Sequence, residues 1–238
     1  NQFRHAIYSR DIKTAKHIIA PYQISPGAKV TWYEPQNLTI QSLYKAALNI
    51  WYDKHKKNKP VQIFSSSQRG CQVINQELQL IRTYKKNYTS KEVNNQKFIK
   101  GDPVIYGKNN NELDLSSGSI GEVSEVFTEK RVVNFRECII KVDFERGSKY
   151  LTEEDCLPLE LAYCINVIKG QGSVFNDIIV IVDTNYKIDH SWLYTAVSFA
   201  KKSIVMISNF EFIEKSILSH QSDTGRHIGK KIEIKKAQ

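Results

Sequence analysis

The sequence predicts an α/β protein: a parallel sheet covered by helices on both faces and interrupted by a small antiparallel β-barrel. Three observations carry this. The runs "VQIF", "IIVIV" and "IVMI" are short, continuous and rich in Val and Ile, as strands buried on both faces are. Stretches with helical spacing lie between them. From Phe98 to Pro158 the texture changes to short strand-like pieces bounded by glycine and asparagine, the pattern of a small barrel. The expected units are therefore residues 1–97 with 159–238 as the α/β part, and residues 98–158 as the inserted barrel.

The elements follow in order. Ile40, Leu43, Tyr44, Ala47, Leu48 and Trp51 recur at helical spacing, which predicts an amphipathic helix from Thr39 to about His55. Pro60 ends that segment, Val61–Phe64 reads as a strand, and the polar loop "SSSQRG" leads into a helix carrying Val73, Ile74, Leu78 and Ile81. Strand, polar loop and helix in succession are the α/β signature. "FIKGDPVIYG", "GSIGEVSEVF" and "ECIIKVDF" supply the barrel strands. Leu161–Val167 and Ile178–Val182 then read as strands, Ser191–Ala200 as a helix and Ile204–Ile207 as a strand. The strand over Leu161–Val167 is expected beside Ile178–Val182 and Ile204–Ile207.

Composition narrows the partners. The chain has 238 residues, 34 Lys and Arg against 25 Asp and Glu, and a net charge of +9. Lysine runs recur at Lys54–Lys59, Lys85–Lys86, Lys201–Lys202 and Lys230–Lys236. This balance favours a polyanion, most often nucleic acid; a solvated lysine-rich surface is the competing reading. No apolar run reaches the roughly 18 residues of a membrane span, and no signal peptide opens the chain. Cys71, Cys138, Cys156 and Cys164 lie far apart without metal-ligand spacing, which predicts buried thiols in a reducing cytoplasm rather than a zinc site. Asn1 stands where a complete protein would carry Met, so a piece of a longer protein is expected.

The loop "NVIKGQGS" directly follows a strand. In parallel sheets, ligands bind beyond the carboxyl ends of strands, where such loops leave the sheet. Its glycines permit close backbone approach to a ligand, and Lys169 is placed to meet a phosphate. An ordinary tight turn has the same local look.

Six segments together are more specific. "LELAYCINVIKGQGSVF" resembles motif V of RecD-like superfamily 1 helicases, "LAYAITVHKSQGSEF", and "WLYTAVSFAKKSIVMI" resembles the following motif VI, "LLYTALTRAKK" with its apolar strand. "SSSQRGCQVINQELQ" is similar to the family's "GVxxLNxxLQ" segment, and "FIKGDPVIYGKNN…SSGSIGEV" to its "FxxGDxVxxxxNN…NGDxGxV". "QFRHAIYS" resembles "FRQAxxS", which carries an ATP-sensing arginine, and "TGRHIGKKI" resembles the closing "TGLxxRL" helix. The matches keep family order along nearly the whole chain.

The resemblance implies the second RecA-like domain (2A) of a superfamily 1B DNA helicase, with an SH3-like barrel (2B) inserted. It implies nucleotide contacts from Arg4, Gln171, Gly172 and Ser173, with Tyr194 and Thr195 also matching. It implies single-stranded DNA contacts from Ser67, Arg69, Asn166 and Lys169. Two departures stand out. The motif VI arginine, which stabilises the transferring phosphoryl group and is worth roughly 10³–10⁵ in rate, falls on Phe199. Motif V's histidine and glutamate fall on Ile168 and Val174. No G-x-x-x-x-G-K-[ST] occurs; "GRHIGKK" from Gly225 is one residue short and lacks the Ser/Thr for magnesium. ATP and Mg are thus expected only together with an upstream RecA-like domain, and this segment alone is expected to be inactive. Three readings remain open: half of a 5′-to-3′ DNA translocase, a degenerate module that binds single-stranded nucleic acid, and a protein-interaction barrel on an α/β support.

Overall fold

The computed structural model describes residues 2–21, 29–57, 59–84 and 87–219. The closing motif "TGRHIGKKI" and the lysines at 85–86 and 230–236 lie outside the described residues. The chain runs α1 (Gln2–Tyr8), α2 (Ile12–Ile18), β1 (Ala20–Pro21), β2 (Val30–Tyr33), α3 (Ile40–Lys56), β3 (Val61–Ser65) and α4 (Gln68–Thr83). It continues through β4 (Ser90–Val93), β5 (Gln96–Ile99), β6 (Pro103–Tyr106), β7 (Ile120–Val133), β8 (Arg136–Phe144), β9 (Gly147–Leu151) and β10 (Leu159–Leu161). It ends with β11 (Cys164–Asn166), β12 (Phe175–Ile181), α5 (His190–Ser198), β13 (Ala200–Ile207) and α6 (Phe210–Leu218).

Six strands form one parallel sheet in the order β1-β2-β13-β12-β3-β11. Alternate residues along each central strand serve opposite cores. Ile63, Ile179, Ile181, Val205 and Ile207 pack on the side of α3 and α4. Phe64, Ile178, Val180, Ile204 and Met206 pack on the side of α1, α5 and α6. Both faces are therefore buried, which is why these strands read as unbroken Val/Ile runs. Helix starts are fixed by side-chain caps: Thr39 accepts from Ser42 N, Ser67 from Gly70 N, Asp189 from Trp192 N and Asn209 from Phe212 N. Each such cap stabilises its helix by about 1 kcal/mol.

Two expectations are corrected. The strand expected over Leu161–Val167 is two strands in two sheets: Leu159–Leu161 joins the antiparallel sheet, and only Cys164–Asn166 joins the parallel one. Nor does β11 lie beside Ile178–Val182, because β3 intervenes. The cause is Asn75 on α4. Its amide donates to Leu161 O and Cys164 O and its oxygen accepts from Cys164 N, so it pins the crossover against α4 at the sheet edge. The helix expected after the polar loop is α4, which buries Gly70, Cys71, Ile74, Asn75 and Leu78 and leaves Val73 and Ile81 exposed. Gly70 admits the close approach of α3: a Cβ there would meet the Tyr44 hydroxyl.

The antiparallel part pairs in the order β10-β6-β7-β8-β9, with β4 and β5 as a separate hairpin. It is a five-stranded series ending in β10 and β9, and the SH3-like label rests on the resemblance. Its apolar residues, among them Val104, Tyr106, Val123 and Ile140, are continuous with the core beneath α3 and α4. A buried polar cluster fixes the junction. Asp102 is fully buried and accepts from Tyr163 Oη at 2.6 Å, Gln79 Nε2 at 2.6 Å, Ile99 N at 2.9 Å and Arg82 Nη1 at 3.2 Å. Burial raises the Asp102 carboxyl above its ordinary value although all of these bonds oppose the shift.

Candidate nucleotide and nucleic-acid sites

Parallel pairing decides where the candidate residues fall. Asn166 pairs opposite Ser65, so Asn166 and the Ser66–Arg69 segment leave the sheet together at its carboxyl edge. Ser67 is buried there. Its hydroxyl caps α4 through Gly70 N and lies 3.0 Å from Tyr186 Oη. Arg69, in the first turn of α4, is exposed and has no ion-pair partner among the described residues. The same edge holds Asp183 at the end of β12, fully buried, with Oδ1 accepting from Asn185 N and Nδ2. Its Oδ2 has no partner among the described residues. Sequence reasoning missed Asp183 and Tyr186; an acid ending the apolar run "IIVIVD" was the available signal.

From Asn166 the loop turns back toward the amino edge. Asn166 O accepts from Lys169 N and Gly170 N, and Asn166 Oδ1 from Ile168 N, which winds the loop into a tight turn. A Cβ on Gly170 would lie 2.6 Å from the Phe64 ring, so only glycine lets the loop lie flush on β3. Gly172 has φ +89° and Gln171 is exposed beside it. Lys169 is not a free cation: its Nζ lies 2.7 and 2.6 Å from the two Glu160 carboxylate oxygens on β10. Glu160 was not among the expected residues, since its role depends on a strand in the other sheet.

The amino edge gathers the remaining candidates. Phe175 pairs opposite Ala200, and Phe175 N donates to Phe199 O at 2.8 Å. Ser173, two residues earlier, is thereby held beside the end of α5. Arg4 of α1 reaches the same place and donates through Nη2 to Ser198 O at 3.1 Å and Ala200 O at 3.3 Å. It thus satisfies carbonyls that the end of α5 leaves open. Its Nε is buried without a partner among the described residues. Phe199 is 4% exposed and stacks on Phe64, ring centroids 4.7 Å apart, and Phe175 meets Phe64 edge-on at 5.6 Å. Position 199 is therefore core. Tyr194 and Thr195 face along α5, Tyr194 beside Tyr8 at 5.7 Å and Thr195 bonded to Ser191 O.

The candidates accordingly divide between two edges of one sheet. Ser67, Arg69 and Asn166 lie at the carboxyl edge, Arg4 and Ser173 at the amino edge, and the turn at Lys169–Gly172 joins them. Among the described residues there is no group of three or more His, Cys, Asp or Glu that could hold a metal, and no helix long and apolar enough to cross a membrane.

No family-wide sequence model matches the chain. It is 26% identical over 246 aligned residues to the RecBCD enzyme subunit RecD of Buchnera aphidicola subsp. Schizaphis graminum, covering 91% of this chain and 38% of that protein. The chain thus spans well under half the length of this curated relative. Solved structures similar to it include a Bacteroides Pif1 helicase in complex with ADP-AlF3 and ssDNA, at TM-score 0.46 and 17% identity, covering 67% of this chain and 42% of that one. Pif1 helicase from Candida albicans is similar at TM-score 0.45 and 14% identity, covering 81% and 58%. In sequence the chain is thus similar to a RecD subunit over nearly its whole length, and its ordered motifs resemble those of RecD-like superfamily 1B helicases.

Proposed function

We propose that the chain is the C-terminal part of an ATP-dependent DNA helicase or translocase moving 5′ to 3′, working in the cytoplasm with its thiols reduced. In this reading residues 1–97 and 159–238 form the 2A domain and residues 98–158 the 2B insertion. The observation that carries the reading is the division of the motif residues between two edges of one sheet. Single-stranded DNA crosses the carboxyl edge at Ser67, Arg69, Asn166 and Lys169. Nucleotide meets the amino edge at Arg4, Gln171, Gly172 and Ser173. An upstream RecA-like domain of the same protein supplies the P-loop and the magnesium ligands, which this chain lacks. The turn at Lys169–Gly172 touches both edges, so a shift of nucleotide at one edge displaces the DNA contact at the other.

The test is DNA-stimulated ATP hydrolysis by the full-length protein, with strand displacement from 5′- and 3′-tailed duplexes. Hydrolysis with unwinding from the 5′ tail supports the reading. Absence of oligonucleotide binding at low salt, or binding indifferent to salt, overturns it, because phosphate contacts make such binding steeply salt-dependent.

One observation favours a second reading, an ATPase-inactive module that still holds single-stranded nucleic acid. Phe199 does not merely omit the arginine; its ring fills the core against Phe64. Retained DNA binding with no ATP turnover in the full-length protein would select this reading over the first.

A further inference from the structure

A cleft of about 450 Å³ opens between α4, the turn of the β4–β5 hairpin and strands β10 and β11. That volume is within the roughly 300–1,000 Å³ of small-ligand sites. Two elements line its rim with primary amides. Gln68, Gln72 and Gln76 stand four residues apart on α4 and so form one stripe along the helix. Opposite them, Asn94, Asn95 and Gln96 come from the hairpin turn, where Asn94 and Asn95 have φ of 50° and 62°. Left-handed backbone is tolerated best by Asn among side-chain-bearing residues, so the turn displays amides by construction.

These amides are not holding the fold. The amides that do so are engaged: Asn75 on Leu161 and Cys164, Gln62 on Ala162 and Tyr163, and Gln79 on Asp102. By contrast, the side chains of Gln68, Gln72, Gln76, Asn94 and Asn95 make no hydrogen bond within the described residues. Beneath the two rows Cys71, Ile165 and Leu161 are almost wholly buried, so the surface the cleft presents is mainly that of the amides. Among the described residues the only cation lining the cleft is Lys169, at one end and paired with Glu160. The amide rows therefore suit a flat, uncharged group with a hydrogen-bonding edge. At one end the cleft reaches Asn166, where the proposed DNA path begins.

We propose that this cleft receives unpaired nucleobases, whose edges are read by the two rows of amides. The inference rests on the nucleic-acid reading above and adds base recognition to it. A carboxamide presents a donor and an acceptor side by side, the pattern that pairs with adenine's edge, and splayed single-stranded bases expose such edges. The phosphate contact expected of Lys169 falls at one end of the cleft and the amide rows carry no charge, so base recognition by them is separable from the salt-dependent part of binding.

The test uses the full chain, a short single-stranded oligonucleotide of mixed sequence containing adenine, and an abasic oligonucleotide of equal length and charge. Fluorescence anisotropy across a salt series gives affinity and salt slope for each. The wild type should bind the base-containing strand about tenfold tighter or more. Gln72→Ala with Asn95→Gly should remove most of that difference and leave the salt slope unchanged. Both side chains are exposed and glycine accepts the left-handed backbone at position 95, so the variant should keep the wild-type melting temperature. Equal affinity for the two strands in the wild type overturns the cleft assignment while leaving the DNA reading intact. Loss of affinity with an altered salt slope in the variant also overturns it. Failure to bind either strand at low salt overturns the nucleic-acid reading and this inference with it.

Discussion

Replacing Phe199 by arginine restores the family's motif residue and separates its two possible meanings. If position 199 faces a nucleotide, the new guanidinium gains a phosphate partner at little structural cost. The packing argues otherwise. The ring is 4% exposed, stacked at 4.7 Å on Phe64, and sits among Ile178, Val197 and Ala200 of the same core. Truncating a buried phenylalanine costs about 3–5 kcal/mol, and the lost aromatic pair is worth about 0.5–1.5 kcal/mol of that order beyond area. An arginine stem recovers part of the apolar contact only if its charged head escapes to water. We expect Phe199→Arg to lose about 3–5 kcal/mol. At about 2–4 °C per kcal/mol for a chain of this size, the melting temperature falls by roughly 6–20 °C. Phe199→Leu, which keeps apolar volume, should lose less. Thermal and urea unfolding of the three proteins measures this. If Phe199→Arg melts within about 2 °C of the wild type, the ring is not a core element and the argument from its burial is wrong. A gain in ATP turnover by the full-length variant without loss of stability would refute it more directly.

Two further outcomes follow from the junction and from α3. Asp102→Ala should lose about 3–5 kcal/mol in urea unfolding, because it strands Arg82, Tyr163 and Gln79 around a vanished acceptor; a loss under about 1 kcal/mol would show that the cluster is not what joins the two sheets. His55 stacks on Trp51 at 4.5 Å, and its titration lies below the ordinary 6.5 because of desolvation and then the Arg82 charge. The unfolded chain therefore takes up this proton first, so stability is full above about pH 6.5 and declines as pH falls through the folded value. His55→Gln should lack that part of the decline, and Trp51 fluorescence should titrate with a midpoint below 6.5 in the wild type.

What the sequence made legible was whatever repeats locally. Strands β3, β12 and β13 announced themselves because both faces are buried, and α3 because Leu43, Tyr44, Ala47 and Trp51 keep helical spacing against one core. The buried face of α4 was not legible in this way, because it is set by Gly70 against Tyr44 and by the polar Asn75, neither of which carries a hydrophobic signal. The candidate residues were found by motif, but their surroundings were not, because each depends on a remote partner. Glu160 neutralises Lys169 from another sheet, Ser198 and Ala200 occupy Arg4 from the far end of the chain, and Phe64 draws Phe199 inward. Local pattern contains none of these pairings.

The Lys169–Glu160 pair poses the sharpest question about DNA binding. Lys169 is the one cation in the loop joining the two edges, and Glu160 holds it at 2.6 Å with side chains 33% and 46% exposed. A pair this exposed is worth about 0–1 kcal/mol to stability, so a phosphate can compete for the lysine. Glu160→Gln should then strengthen oligonucleotide binding, since the lysine no longer leaves a carboxylate to reach the strand. Lys169→Ala should weaken it and flatten the dependence of log affinity on log salt by about 0.7, the share of one phosphate on a single strand. The alternative is that the pair only tethers the loop to β10. In that case both substitutions lower stability slightly and leave affinity and slope alone. Anisotropy titrations of the two variants over a salt series decide between them. An unchanged slope in Lys169→Ala removes Lys169 from the DNA path, and a weaker Glu160→Gln complex shows that the tether, not the free charge, is what the strand requires.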